Sequence, residues 1–247
     1  DKFVLQSHLC SIWENGQYVR SRDLMKVKPA FEDLLARLQT DYIDLGMIHF
    51  IDTAEEFDRV VKGEFTDYAR QLKAEGQIRH IGMSTHNPET ARMAAEHGEI
   101  EMILFSINPA FDMMPPVTDL EEYFAEKYDE NLGGIAPERE ELYKLCEQKQ
   151  VGITVMKAFG GGDLLNEELS PAGKALSVYQ CLHYALTRPA VATVLAGAHS
   201  PEQLEESIAY ENATEEEKDY APAFASFPNI SWKGHCMYCS HCAPCPK

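Results

Sequence analysis

Four cysteines stand at every third position near the end of the sequence, Cys236, Cys239, Cys242 and Cys245 in CMYCSHCAPCPK, with a proline directly after the last. Thiolates that dense are metal or cluster ligands before they are disulfide partners, because bridges need an oxidising compartment and Cα separations that so short a run offers poorly. Zinc usually takes its four thiolates from two separated C-x-x-C knuckles, whereas an iron–sulfur cluster is commonly held by one continuous run closed by Cys-Pro. The run therefore points first to a [4Fe–4S] cluster and second to zinc. Its last spacing is one residue shorter than the bacterial ferredoxin pattern. His235 and His241 are potential substitute ligands, although four thiolates already complete the set. Cys10, Cys146 and Cys181 stand alone and read as small buried hydrophobes.

Charge narrows the function classes. Across 247 residues, 40 Asp and Glu outweigh 22 Lys and Arg, for a formal net charge of −18. That balance excludes the basic footprint that nucleic acid requires, and it disfavours an anionic membrane surface for the same reason. No apolar run approaches the roughly 20 residues of a membrane span, and DKFVLQSH has neither the basic start nor the cleavage site of a signal peptide. The expected location is cytoplasmic.

The elements that must position any chemistry come as a repeated two-part unit. Strand-like runs occur at KFVLQSHL, DYIDLGMIHF, IRHIGMST, IEMILFSIN, GITVMKAF and AVATVLAGA, with stretches of helical spacing between them such as VKPAFEDLLARLQ and FDRVVKGEFTDYARQLKAEG. Near-continuous apolar strands joined by long crossovers suit a parallel sheet covered on both faces. Asn87-Pro88 and Ser200-Pro201 mark helix starts, and Gly76 and Gly98 mark helix ends. Six such units fit either an open doubly wound sheet or a (β/α)8 TIM barrel lacking two units; the absence of a G-x-G-x-x-G turn favours the barrel. Residues 109–136 read as an acidic, proline-bearing insertion with one short helix, and residues 211–227 as an acidic outer helix. The expected division is a barrel over 1–210, followed by a C-terminal helix and cluster-binding segment over 211–247.

In order along the chain, LARLQTDYIDLGMIHF, LKAEGQIRHIGMSTHN, ITVMKAFGGG and VATVLAGAHSPEQLEES, together with the terminal cysteine run, resemble the aldo/keto reductases. More closely, they resemble the branch of that family with a C-terminal ferredoxin-type cluster. The resemblance implies a (β/α)8 barrel whose first two units lie upstream of Asp1. It also implies hydride transfer between NAD(P)H and a small carbonyl or alcohol substrate at the C-terminal face of the barrel; the cluster would either relay electrons, with a redox partner protein, or brace the C-terminal segment.

Carried over position by position, the resemblance places His49, in MIHF, at the family histidine that orients the carbonyl. His8 falls where the family has a lysine; the family's tyrosine and aspartate belong to the upstream units. A histidine there lacks a permanent cation, so activity rising toward pH 6 is the expectation. Ser84 and Asn108 fall at the carboxamide, while Leu104 stands where a glutamine is common. Met156 replaces the ring that stacks on the nicotinamide, and Lys157 follows it as a phosphate partner. Gly197, His199 and Ser200 open the helix that would receive a phosphate, and Gln203 replaces the arginine that selects NADP. The second function class left open is a cluster-bearing electron-transfer or binding protein on a barrel that has lost carbonyl reduction.

Overall fold

The computed structural model describes residues 3–113, 136–170 and 172–224. They fall into two compact units, one built from the chain up to Phe105 together with Leu145–Ile153, the other from Ser106–Lys144 and from Thr154 onward.

In the first unit the strands β1 (Gln6–His8), β4 (Ile43–Ile48), β5 (Ile78–Thr85) and β6 (Met102–Ser106, leaving the unit at its last residue) lie side by side in that order. All the pairings are parallel, with His8 opposite Met47, Ile48 opposite Met83 and Thr85 opposite Phe105. Every residue of β4 is buried, as expected of a parallel strand covered on both faces. Gly82 in β5 permits the close approach of its neighbours, since a Cβ there would lie 2.2 Å from the Met47 sulfur and 2.9 Å from the Met102 carbonyl. Helices α1 (Leu24–Leu38), α2 (Ala54–Val61), α3 (Glu64–Ala74) and α4 (Pro88–His97) supply the crossovers. Asn87 caps α4 through its side chain and Gly98 ends it at φ 83°, as the sequence signals indicate.

Two features differ from the sequence expectation. The stretch 57–76 is two helices, because α2 ends at Lys62 and Gly63 starts α3 afresh. Between β1 and α1 lies an antiparallel hairpin, β2 (Ser11–Glu14) and β3 (Gln17–Arg20). Its turn is Asn15-Gly16 with both φ positive, at 53° and 81°, the backbone that Asn-Gly favours in a two-residue hairpin. The local sequence carried that signal; the hairpin matters because it delivers Arg20.

The second unit contains α5 (Pro109–Asp112), the N-terminal part of α6 (Pro137–Lys149), the C-terminal part of β7 (Gly152–Met156), α7 (Val178–Leu186), β8 (Val191–Val194) and α8 (Pro201–Ala209). Its apolar centre gathers Ala110, Met113, Leu164, Leu176 and Cys181. Asp112, fully buried, accepts from Arg139 Nε at 2.7 Å, Tyr143 Oη at 2.6 Å and Tyr184 Oη at 2.7 Å. Arg139 also donates to the Ser106 carbonyl. A buried carboxylate is tolerable on such terms, with a charge partner among its three donors. The acidic stretch expected as one outer helix is two short ones, α9 (Glu215–Lys218) and α10 (Ala221–Phe224). Most of the expected 109–136 insertion and the four terminal cysteines lie outside the described residues. Among the described residues no helix is long and apolar enough to cross a membrane.

Candidate active site

Parallel pairing in register brings the C-terminal ends of β1, β4 and β5 together, so residues dozens of positions apart in the chain meet there. The His8 and His49 rings stack, with centroids 4.0 Å apart and planes 25° from parallel. His8 Nε2 and His49 Nδ1 are both buried and find no hydrogen-bond partner among the described residues. Burial lowers the His8 imidazole to about 4. It lowers His49 to about 3, where the positive groups of His8, Arg20, His86 and Arg22 add to the desolvation. Both rings are therefore neutral at physiological pH. The expectation of partial His8 protonation near pH 6 is corrected: removal from water, which the sequence does not reveal, outweighs the imidazole's intrinsic basicity.

Directly after His49 the backbone turns left-handed, with Phe50 at φ 57°. That conformation is costly for a bulky residue and persists only where its surroundings over-determine it. Here they do. Phe50 N donates to Ser84 Oγ at 2.8 Å, while the Phe50 carbonyl accepts from Arg20 Nη1 at 2.7 Å and Arg22 Nη2 at 3.1 Å. Arg22 is itself anchored on Glu56 at 2.5 Å, and the Arg20 guanidinium lies over the Phe50 ring at 4.8 Å. Ser84, 2% exposed, thus uses its oxygen as an acceptor and keeps its O–H to donate. Cys10 Sγ accepts from His49 N at 3.4 Å, and burial pushes its thiol up to about 11, which makes it a packing group rather than a nucleophile.

Asp52 and His86 complete this end of the first unit, and the sequence reading singled out neither. Asp52 Oδ1 accepts from Thr85 Oγ1 at 2.9 Å and from His86 N at 2.7 Å. Its Oδ2 lies 3.0 Å from His86 Nδ1, and its carbonyl accepts from Asn87 Nδ2 at 3.0 Å. The only local signals were an Asp three residues beyond His49 and a His two beyond Ser84; their separation of 34 residues hid the pairing.

The remaining predicted residues lie in the second unit. Asn108, fully buried, caps α5 by accepting from Phe111 N at 2.9 Å and donates through Nδ2 to the Lys157 carbonyl at 2.7 Å, which leaves one amide hydrogen for a ligand. Lys157 follows Met156 at the end of β7 with φ 59°, a second left-handed bulky residue at a strand end. Gly197, His199 and Ser200 border a cavity of about 930 Å³ whose apolar wall includes Leu182, Leu186, Leu204 and Ile208. Ser200 Oγ caps α8 by accepting from Gln203 N at 3.3 Å, and Gln203 Oε1 accepts from His199 N at 2.8 Å. Gln203 is therefore a cap of this turn. Taken separately, the first unit offers a buried serine O–H and two imidazole nitrogens without a partner among the described residues, and the second an apolar-walled cavity bordered by a polar turn. Among the described residues no group of three or more His, Cys, Asp or Glu side chains is arranged to hold a metal ion.

Polar groups clustered at the C-terminal ends of parallel strands mark the reacting end of an α/β enzyme. The sequence model of the aldo/keto reductase family matches residues 14–177, and the chain belongs to that family. It is 30% identical over 229 residues to the uncharacterized oxidoreductase YqkF of Bacillus subtilis, spanning 87% of this chain and 71% of the relative. To the aldo-keto reductase YhdN of the same organism it is 26% identical over 233 residues, spanning 83% of this chain and 64% of the relative. Among solved structures, the holo form of aldo-keto reductase AKR11C1 from Bacillus halodurans superposes with a TM-score of 0.63 at 22% identity, over 94% of this chain and 76% of that one. That likeness shows the fold. The protein is an NAD(P)-dependent oxidoreductase of aldo/keto reductase type.

Proposed function

We propose that the protein interconverts a small carbonyl compound and its alcohol, and that the reacting carbonyl lies against the His8–His49 pair. The observation that carries this reading is the pair of buried, unpartnered imidazole nitrogens at adjoining strand ends: a buried polar atom without a partner is costly, and a substrate oxygen or amide would relieve the cost. Because both rings are neutral, each can present one N–H donor and one acceptor. They orient the oxygen by hydrogen bonding without supplying charge. The Ser84 O–H is the donor available to the carboxamide, with Asn108 offering its one remaining amide hydrogen. By the resemblance to the family, Met156, Lys157, Gly197, His199, Ser200 and Gln203 are further candidates for contact with the cofactor. When bound, NAD(P)H supplies the hydride. With Gln203 engaged as a cap and no arginine in its place, discrimination between NAD and NADP should be weak, within about tenfold.

Cys236, Cys239, Cys242 and Cys245 form an all-thiolate donor set that fits a [4Fe–4S] cluster, which when bound would exchange single electrons with a redox partner protein. The domain reading is a barrel over 1–210 followed by this cluster-binding segment over 211–247, in a cytoplasmic enzyme. The deciding experiment follows NADH and NADPH oxidation by the full-length protein with a panel of aldehydes and ketones. Turnover that falls at least tenfold in His49→Gln supports the assignment; turnover unaffected by that change sinks it. Visible absorption of anaerobically purified protein tests the cluster: a broad band that bleaches on reduction is expected, and colourless protein carrying stoichiometric zinc would overturn it.

A further inference from the structure

Three local features bring one guanidinium to the end of β4. The Asn15-Gly16 hairpin leaves β1 after Cys10 and is closed at its base, where Ser21 N donates to the Cys10 carbonyl at 2.8 Å. Asp23 then caps α1 by accepting from Met25 N at 2.9 Å, so Arg22 is held between a closed hairpin and a helix start. On α2, Thr53 caps the first turn by accepting from Glu56 N at 3.2 Å, which sets the Glu56 carboxylate against Arg22. Both side chains are mostly buried, at 21% for Arg22 and 16% for Glu56. Arg22 Nη1 donates to Glu56 Oε1 at 2.5 Å, while Nη2 donates to the carbonyls of two successive residues, His49 at 3.2 Å and Phe50 at 3.1 Å. Successive carbonyls of a strand point to opposite sides; the left-handed Phe50, φ 57°, turns these two toward one donor. The Arg22 contact and that costly backbone therefore support each other. On the other side of His49, its N–H is fixed on Cys10 Sγ at 3.4 Å, so the main chain is held both before and after the ring that stacks on His8.

Resting on the carbonyl-reduction reading, we propose that Arg22, seated on Glu56, is a positioning residue of the site: it fixes the 49–50 turn and so aims the His49 ring at the substrate oxygen. It acts through His49 and does not itself touch the substrate. The role depends on the planar fork, which serves a carboxylate through one nitrogen and two carbonyls through the other. A lysine at this position would keep the positive charge but offer a single ammonium on a flexible stem, which cannot hold the same three oxygens in the same geometry. Position and charge are therefore separable by substitution.

Kinetics and NMR on the full-length protein test this. Arg22→Lys and Glu56→Ala should each lower kcat of the folded enzyme by about 10- to 100-fold, the loss expected when a reacting group is displaced by up to about 1 Å, while the Kd for NADH, read by fluorescence, moves by less than about threefold. Glu56→Gln, whose amide oxygen still accepts from Arg22, should restore most of what Glu56→Ala loses. In ¹H–¹³C spectra of the ligand-free protein, the ring protons of the stacked His8 and His49 should be shifted upfield in the wild type and in Glu56→Gln, and that shift should shrink in Arg22→Lys and Glu56→Ala. Should Arg22→Lys fail to fold, the two Glu56 variants decide the matter. A purely structural role would lower the urea midpoint but leave kcat of the folded fraction and the ring shifts unchanged, and that result overturns the proposal. So does full activity in Arg22→Lys, which would assign the effect to charge. A wild type that reduces no carbonyl overturns the reduction reading and the positioning role with it, whereas an active wild type with unaffected variants overturns the positioning role alone.

Discussion

Replacing His49 by glutamine should flatten the dependence of stability on pH between pH 6.5 and 5. The native His49 imidazole sits at about 3 and His8 at about 4, both from burial, against an unperturbed value of 6.5 in the unfolded chain. The unfolded state therefore binds more protons than the native state throughout this window, and stability must fall as pH falls. At pH 5.5 an unfolded histidine is about 90% protonated and the native rings almost not at all, so each contributes a slope of about 1.2 kcal/mol per pH unit. The two together give about 2.4 kcal/mol per pH unit, to be reduced by up to half because neither ring is wholly removed from solvent. Against a total stability of about 5–15 kcal/mol, this is a large effect. With a urea slope near 3 kcal/mol/M, the midpoint should fall by up to about 0.8 M per pH unit. Urea titrations of the wild type, His49→Gln and His8→Gln every half unit from pH 7.5 to 5 measure it. Each substitution should remove about half of the slope. Wild-type and His49→Gln slopes that coincide would refute the claim that the stacked pair is held neutral by burial.

For the same reason carbonyl reduction should show no rise attributable to His8 between pH 7 and 5.5, and a His8→Asn profile parallel to that of the wild type would confirm this. Gly82→Ala should cost about 1–3 kcal/mol by denaturant titration, since its methyl would meet the fully buried Met47 and the Met102 carbonyl; an unchanged midpoint would mean that β5 shifts freely. Arg139→Met should destabilise by about 3 kcal/mol by removing the guanidinium from the buried Asp112 carboxylate, whereas Asp112→Asn with Arg139 kept should cost less. Cys239→Ser should abolish the visible absorption of the anaerobic protein while its far-UV circular dichroism stays close to that of the wild type.

Element positions were legible where the signal is local. β5 coincides with IRHIGMST, Asn87-Pro88 and Ser200-Pro201 start helices with their side chains as caps, and Gly98 stops one in the left-handed region. The Asn15-Gly16 signal is equally local, but the strands it joins are only four residues each and lack a long apolar run. The break at Gly63 was hidden by apolar spacing that continues on both sides of it.

The sequence by itself determined the alternation of buried strands and covering helices and the run of four thiolates, because periodicity, spacing and capping depend on neighbours a few residues apart, while the candidate status of His8, His49 and Ser84 rested on the resemblance to the aldo/keto reductases. Tertiary structure alone decided what those residues are. His8 and His49 stand 41 positions apart, and only the parallel pairing of β1 with β4 stacks them; only burial makes them neutral. Asp52 reaches His86 because β4 and β5 end side by side, and Asn108 is engaged by α5 and the Lys157 carbonyl rather than left wholly for a ligand. Proton affinity and hydrogen-bonding capacity depend on how much water remains and which groups face each other, and both are properties of the packed chain.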